Sequence, residues 1–210
     1  MEKLNFAKGT IILGVDEAGR GPLAGPVTAA CVCFPEDYRN DQINDSKKLS
    51  HTKREKLYTE ITANALAYSI ISIGAKRIDK HNILGATKLA MLYAVKRVAR
   101  QLKNIHALSS SDFLVIIDGN QPIKTTLCQQ SIVKGDSKVM QIAAASILAK
   151  VTRDRLMSVL DNKFPQYGFS IHKGYPTVLH LQKVAEHGPC AIHRLTFRGV
   201  REHVGRLETY

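Results

Sequence analysis

Apolar and polar positions follow two rhythms along this chain, and the switches between them set out its elements. Thr10 to Asp16 (TIILGVD) is a short apolar run that stops against Gly19, Gly21 and Pro22, predicting a strand that ends in a tight turn. Pro26 to Phe34 (PVTAACVCF) predicts a second strand, paired back on the first as a hairpin. Asp45 to Ser50 (DSKKLS) is a polar loop, and Ser50 can cap a helix from His51 to about Leu66. Ala67 to Ala75 has the β-branched content of a third strand. Between Ile83 and Leu102, apolar residues at Leu92, Val95, Val98, Ala99 and Leu102 recur at helical spacing. Phe113 to Ile117 (FLVII) is five apolar residues in a row, a buried strand running into Asp118-Gly119-Asn120. Ser131 to Val133 predicts a brief strand and Val139 to about Leu160 an Ala-rich helix. Thr177 caps a last helix, which Gly188 and Pro189 end.

Strands first, then strands alternating with helices, indicate an α/β sheet covered by helices. No repeat, low-complexity tract or linker interrupts the pattern, so residues 1–210 are expected to form one domain. A chain this long buries a full core without disulfides or a structural metal. Its cysteines, Cys31, Cys33, Cys128 and Cys190, do not make a zinc pattern. On a strand Cys31 and Cys33 share one face as small buried hydrophobes, and reduced thiols suit the cytosol. MEKLNFAKGT lacks an apolar export core and no run of 18 apolar residues occurs, so a cytoplasmic protein that does not span a membrane is expected.

Charge changes this picture. Thirty Lys and Arg against 18 Asp and Glu leave a formal +12, spread along the chain rather than gathered in a tail. That suits an extended face for a polyanion, because Lys and Arg displace counterions condensed on phosphates. A basic solvated surface with no partner accounts for the charge equally well.

The acids are informative where an acid is awkward. Asp16 closes one apolar run and Asp118 another, and ionised carboxylates near a core are costly unless a cation neutralises them. Oxygen ligands without Cys or a His cluster point to Mg²⁺ or Mn²⁺. Glu17 follows Asp16 and faces the same site only if the strand ends there. Asp136, in KGDS, precedes the long helix. Each acid also has a plain structural role open to it: a helix cap for Asp136, a turn for Asp118, a solvated loop for Asp16 and Glu17. His172, His180, His187 and His193 lack a ligand pattern and are expected to be satisfied or surface histidines.

GVDEAGRGPLAGPV (Gly14 to Val27) resembles the opening signature of the type 2 ribonuclease H family, bacterial ribonuclease HII in particular. The resemblance continues in order through DSKKLS, IDKHNILGATKLAM (Ile78 to Met91), IIDGN (Ile116 to Asn120), KGDSKVMQIAAASILAKVTRDR (Lys134 to Arg155), YGFSIHKGYPTVLH (Tyr167 to His180) and HRLTF (His193 to Phe197). It implies a ribonuclease H-like fold, a mixed central β-sheet flanked by helices, with additional C-terminal helices from about residue 155 beside the substrate. It also implies that Asp16, Glu17, Asp118 and Asp136 are the catalytic, metal-binding acids, holding two Mn²⁺ or Mg²⁺ ions with Asp16 bridging. An Asp at position 136, and an N-terminus too short for an extra substrate-binding domain, favour the HII branch over HIII. The one minor departure is RGV after HRLTF, where many relatives carry a proline near Gly199.

The implied activity is hydrolysis of the RNA strand of RNA/DNA hybrids, and cutting 5′ of single ribonucleotides in duplex DNA, by a monomer. By resemblance the turn Gly19, Arg20 and Gly21 meets the ribose 2′-hydroxyl, with Arg20 on a phosphate, and Tyr175 packs on the following deoxyribose. Lys47, Lys48, Lys150 and Arg153 are candidate phosphate contacts. A related polynucleotidyl transferase and a non-catalytic nucleic-acid-binding module are the competing readings. A ribose sensor speaks against the first and the awkward acids against the second.

Overall fold

The computed structural model describes residues 9–105 and 108–206; the first eight residues, part of the stretch read above for an export signal, lie outside them. Five strands form one sheet: β1 (Ile11–Ala18), β2 (Val27–Cys33), β3 (Ala67–Ile73), β4 (Phe113–Asp118) and β5 (Cys128–Ile132), in the order β3-β2-β1-β4-β5. The β1-β2-β3 half is antiparallel, while β1-β4 and β4-β5 pair in parallel, so the sheet is mixed. The parallel β1–β4 pair is joined by a long crossover through β2, β3 and two helices, α1 (His51–Asn64) and α2 (Ala75–Ile105), whereas residues 119–127 link β4 to β5 without a helix. After β5 come α3 (Met140–Lys163), α4 (Phe169–His172) and α5 (Val178–His187).

Period-two alternation gives the sheet two buried faces. Leu13, Val15, Cys31, Cys33, Val115 and Ile117 pack with α2 residues such as Ala90, Ala94 and Val98. Ala30 and Val32 face the other way, against Leu57 and Ile61 of α1 and Ala144, Ile147 and Leu148 of α3. Cys31 and Cys33 thus share the α2 face as expected. Helix α3 lies hard against β1: a Cβ on Gly14 would sit 2.3 Å from the Gln141 carbonyl carbon, so only glycine permits the approach.

Boundaries differ from the sequence pattern in ways that have causes. Strand β1 runs past Asp16 to Ala18, because β2 keeps pairing with it through Ala18↔Thr28 after β4 has ended. Helix α2 begins eight residues before Ile83 and breaks at Asn82, whose φ is 54° and whose side-chain oxygen accepts from Gly85 N–H at 2.9 Å. Strand β5 starts at Cys128, its polar Gln129 and Gln130 lying on an edge strand with little apolar signal. The C-terminal helices pack through Ala24, Met157, Tyr167, Phe169 and Val184, which fixes them beside the turn that follows β1. No helix among the described residues is long and apolar enough to cross a membrane.

Candidate active site

The parallel register of β1 and β4 sets Val15 opposite Ile117, so the next residues, Asp16 and Asp118, emerge side by side on strands about 4.8 Å apart. Beyond β5, Gly135 donates its N–H to Asp118 Oδ1 at 2.7 Å. That bond draws the Gly135–Ser137 turn, and with it Asp136, onto the same sheet edge. Val139, not Asp136, occupies the cap position of α3. Glu17 lies one residue past Asp16, where β1 has outrun β4. Its carboxylate still interacts with Asp118 and also with Lys47 and Arg20. The four acids therefore share one end of the sheet although β1 does not stop at Asp16.

Burial and crowding act on these groups together. Asp16 is 5% exposed; desolvation first, then the Glu17 and Asp118 charges, hold its carboxyl well above the usual range. Hydrogen bonds from the Glu17 N–H, at 2.7 Å, and from Ser146 pull the other way and lose. Desolvation also raises Glu17, opposed by Arg20, and raises Asp136, helped by the charges of Asp118 and Asp45. Cations nearby are loosely placed: Arg20 Nη1 is 3.4 Å from Glu17, and Lys47 Nζ is 3.9 Å from Asp136 with most of its side chain in solvent. Among the described residues no three acidic, His or Cys side chains close into a preformed metal cage. A set of mutually repelling carboxylate oxygens results, one that a cation would relieve.

Residues 19–26 form the adjoining wall. Gly19 has a φ of 92°, and a Cβ there would lie 2.0 Å from Arg153 Nε, so glycine is required on both counts. Gly21 faces Tyr175: a Cβ on Gly21 would be 3.8 Å from the ring. The Gly19–Gly21 turn and Tyr175, 40% exposed, are thus opposite sides of one surface beside the acids. Lys150 Nζ and the Arg153 guanidinium lie 5.9 and 5.7 Å from the ring centroid. Lys47 and Lys48 form a short 3-10 turn capped by Asp45, whose carboxylate accepts from Lys47 N–H. Ser46 hydrogen-bonds Ser146 at 2.9 Å, tying this loop to Asp16 through α3.

Arg153 corrects an expectation. As a candidate phosphate contact it should reach solvent, yet it is fully buried and donates to the carbonyls of Pro26, Lys173 and Ala24. Lys150 is partly committed too, paired with Asp154 at 2.8 Å. The sequence reading also passed over Ser146, Asp45 and Arg194. Arg194 is buried and donates to the carbonyls of Gly25, Arg20 and Gly19, and the only signal for it was its place in the HRLTF block. His172, His180 and His193 are satisfied core histidines, hydrogen-bonded to backbone or to each other.

A family model described as Ribonuclease HII matches residues 13–200. Ribonuclease HII of Geobacter metallireducens is 51% identical over 193 residues, spanning 92% of this chain and 86% of that protein. The crystal structure of ribonuclease H2 from Pyrococcus horikoshii has a TM-score of 0.74 at 25% identity, covering 96% of this chain and all of that one. Bst-RNase HIII, solved in complex with Mn²⁺, has a TM-score of 0.64 at 15% identity over 96% of this chain and 71% of its own, a likeness of fold. These neighbours carry the ribonuclease H-like fold that the sequence blocks imply.

Proposed function

The chain belongs to the ribonuclease HII family and is a ribonuclease H hydrolase; from that premise we propose that it uses Asp16, Glu17, Asp118 and Asp136 with two divalent ions to cut RNA/DNA hybrids and to cut 5′ of single ribonucleotides in duplex DNA. The observation that supports this most is the register that sets Asp16 beside Asp118 and ties Asp136 to them through Gly135.

The donor set fits Mg²⁺ or Mn²⁺: four carboxylates offering oxygen alone, three of them held above their usual range because burial and repulsion outweigh Arg20 and Lys47. Phosphodiester hydrolysis asks for about 20 kcal/mol of barrier lowering, and general base catalysis supplies roughly 3–5 of it. When bound, a pair of such ions supplies the positive charge that activates the attacking water and offsets charge on the phosphorus centre and the leaving oxygen. The chain's own part is orientation. Glu17 N–H and Ser146 hold Asp16, and Gly135 N–H holds one oxygen of Asp118 so that the other is free to ligate. Water attack on phosphorus breaks the P–O3′ bond, leaving a 3′-hydroxyl upstream and a 5′-phosphate on the ribonucleotide.

Ribose selection falls to the facing wall. The Gly19–Gly21 turn, without side chains at either glycine, lets main-chain groups reach the 2′-hydroxyl, which donates and accepts. Arg20 swings from Glu17 to a phosphate. Tyr175 presents a flat ring to the next sugar, where a second hydroxyl would fit poorly. Lys47 and Lys48 at the rim take phosphates further along the duplex, and the enzyme works as a cytoplasmic monomer. The test is a duplex with one embedded ribonucleotide, incubated with Mn²⁺, Mg²⁺ or EDTA. A single cut 5′ of the ribonucleotide in either metal and none in EDTA is expected; cutting in EDTA, or of an all-DNA duplex, refutes the proposal.

A further inference from the structure

Two neighbouring residues near the C-terminus reach the two sides of the sugar-reading wall separately. Arg194 is fully buried, and its guanidinium donates to Gly19 O at 2.5 Å, Arg20 O at 2.8 Å and Gly25 O at 3.1 Å. His193, also buried, goes the other way. Its Nε2 is 3.0 Å from His180 Nε2, and His180 Nδ1 is 2.9 Å from the carbonyl oxygen of Tyr175. The backbone between them is pinned as well: Arg194 N donates to Leu23 O, Gly25 N to Ile192 O, and Leu23 N to Gly174 O.

The hydrogen bonds settle where the protons sit. Tyr175 O only accepts, so His180 Nδ1 carries a proton and its Nε2 accepts. His193 Nε2 must then donate, leaving His193 Nδ1 as the acceptor for Cys190 N–H at 2.9 Å, with Cys190 Sγ at 3.2 Å from the same nitrogen. All donors point one way, from Cys190 through His193 and His180 to Tyr175. An extra proton on either ring would set one N–H against another. Burial supports the uncharged state, pushing His180 down to about 4 and His193 to about 3. His172 stacks on His180 at 4.3 Å and accepts from Gly174 N–H at 3.1 Å, which closes the loop that carries Tyr175.

We infer that His193 and Arg194 are positioning residues that set the spacing between the Gly19–Gly21 turn and Tyr175, and so determine preference for a ribonucleotide followed by a deoxyribonucleotide. This deepens the proposed function and rests on its assignment of that turn and of Tyr175. A guanidinium that satisfies two carbonyls of the turn and that of Gly25, beside an imidazole that leads to the carbonyl of the other reader, links the two without touching substrate. A merely structural knot would stabilise the C-terminal helices and affect every substrate alike.

The test compares kcat/KM on two substrates, a duplex with one embedded ribonucleotide and a uniform RNA/DNA hybrid. His193→Phe keeps a ring but removes the relay, and the junction-to-hybrid ratio should fall about tenfold, the effect of one lost hydrogen bond on alignment. His193→Gln, whose amide can still donate to His180, should restore the ratio to within about threefold. Combining H193F with Tyr175→Ala should give the ratio of Y175A alone, because both act through one ring. Arg194→Lys loses the fork that reaches three carbonyls, and should narrow the affinity difference between ribose- and deoxyribose-containing duplexes, measured with Ca²⁺ to prevent cutting, by about tenfold. If H193F does not fold, His193→Asn, too short to reach His180, carries the same expectation. Parallel losses on both substrates, multiplying effects in the double variant, or no rescue by H193Q would overturn the positioning role while leaving the Tyr175 reading intact. An unchanged ratio in Y175A would overturn that reading, and this inference with it.

Discussion

Asp16→Asn should make the metal-free protein more stable while removing its activity. Asp16 sits beside Asp118 on adjacent parallel strands, is 5% exposed, and is raised by desolvation and by two neighbouring carboxylates. Two unit charges about 5 Å apart repel by about 3 kcal/mol at an effective dielectric near 20. Asparagine is almost the same shape and its Oδ1 can still accept from Glu17 N–H. Solvent at the cleft mouth screens part of the repulsion, so a net gain of about 2 kcal/mol is expected in EDTA near pH 8. For a chain of 210 residues that corresponds to a rise in Tm of about 4–8 °C. Adding Mn²⁺ at about a hundred times its Kd should stabilise wild type by about 2.7 kcal/mol and the variant by much less, reversing the order. Turnover should fall by about 10³-fold or more, while affinity for a hybrid survives. Paired melts in EDTA and Mn²⁺ with a gel cleavage assay check this. A variant that melts at or below wild type in EDTA would refute the repulsion argument, and one that turns over robustly would remove Asp16 from the chemistry.

Other parts of the structure yield further tests. Gly19→Ala places a Cβ 2.0 Å from Arg153 Nε at a φ of 92°, so destabilisation of about 3 kcal/mol is expected in urea titration together with loss of cutting; a neutral outcome would mean the turn is softer than described. His180 and His193, depressed to about 4 and 3, lie below the roughly 6.5 of an unfolded histidine, so the unfolded chain takes up protons first as pH falls. Their contribution is complete above about pH 6.5 and is lost towards pH 4 for His180 and pH 3 for His193, by about 2 kcal/mol per ring at pH 5. The raised carboxylates of Asp16, Glu17 and Asp136 act in the opposite sense, so the comparison is with H193Q, whose urea midpoint should drop less between about pH 7.5 and 5. Equal drops would argue against a neutral His193. If about five phosphates are neutralised on binding, log affinity for a duplex should fall with log salt at a slope of about −4 to −5, and Lys47→Ala should flatten it by about one. A slope near zero would remove phosphate contact from the account.

How legible the molecule was in its sequence depended on whether local pattern or distant partners decided each feature. Phe113 to Ile117 announced itself because a strand covered on both faces shows an unbroken apolar run. Cys128–Ile132 showed only its end, in the brief strand read at Ser131 to Val133, because an edge strand carrying Gln129 and Gln130 lacks that signal. The end of β1 was misplaced for a related reason: its last residues are held by β2 rather than by their own hydrophobicity. Asp16 and Asp118 stood out as acids closing apolar strands, whereas the placement of Asp136 depends on a bond from Gly135 that no local rule contains. Arg153 and Arg194 were least legible. Charge sends arginine to the surface by default, and their acceptors are at Ala24, Pro26, Gly19, Arg20 and Gly25, more than a hundred residues away, apart from Lys173. The six ordered blocks beyond the opening signature supplied what composition and spacing left open.

The most direct measurement is a crystal structure of the protein soaked in Mn²⁺ with an uncleavable hybrid, with data collected at the manganese absorption edge. Anomalous peaks are expected among the carboxylates of Asp16, Glu17, Asp118 and Asp136, next to the phosphate 5′ of a ribonucleotide whose 2′-hydroxyl meets the Gly19–Gly21 turn. Manganese bound elsewhere, or a hybrid docked away from these acids, would contradict the assignment.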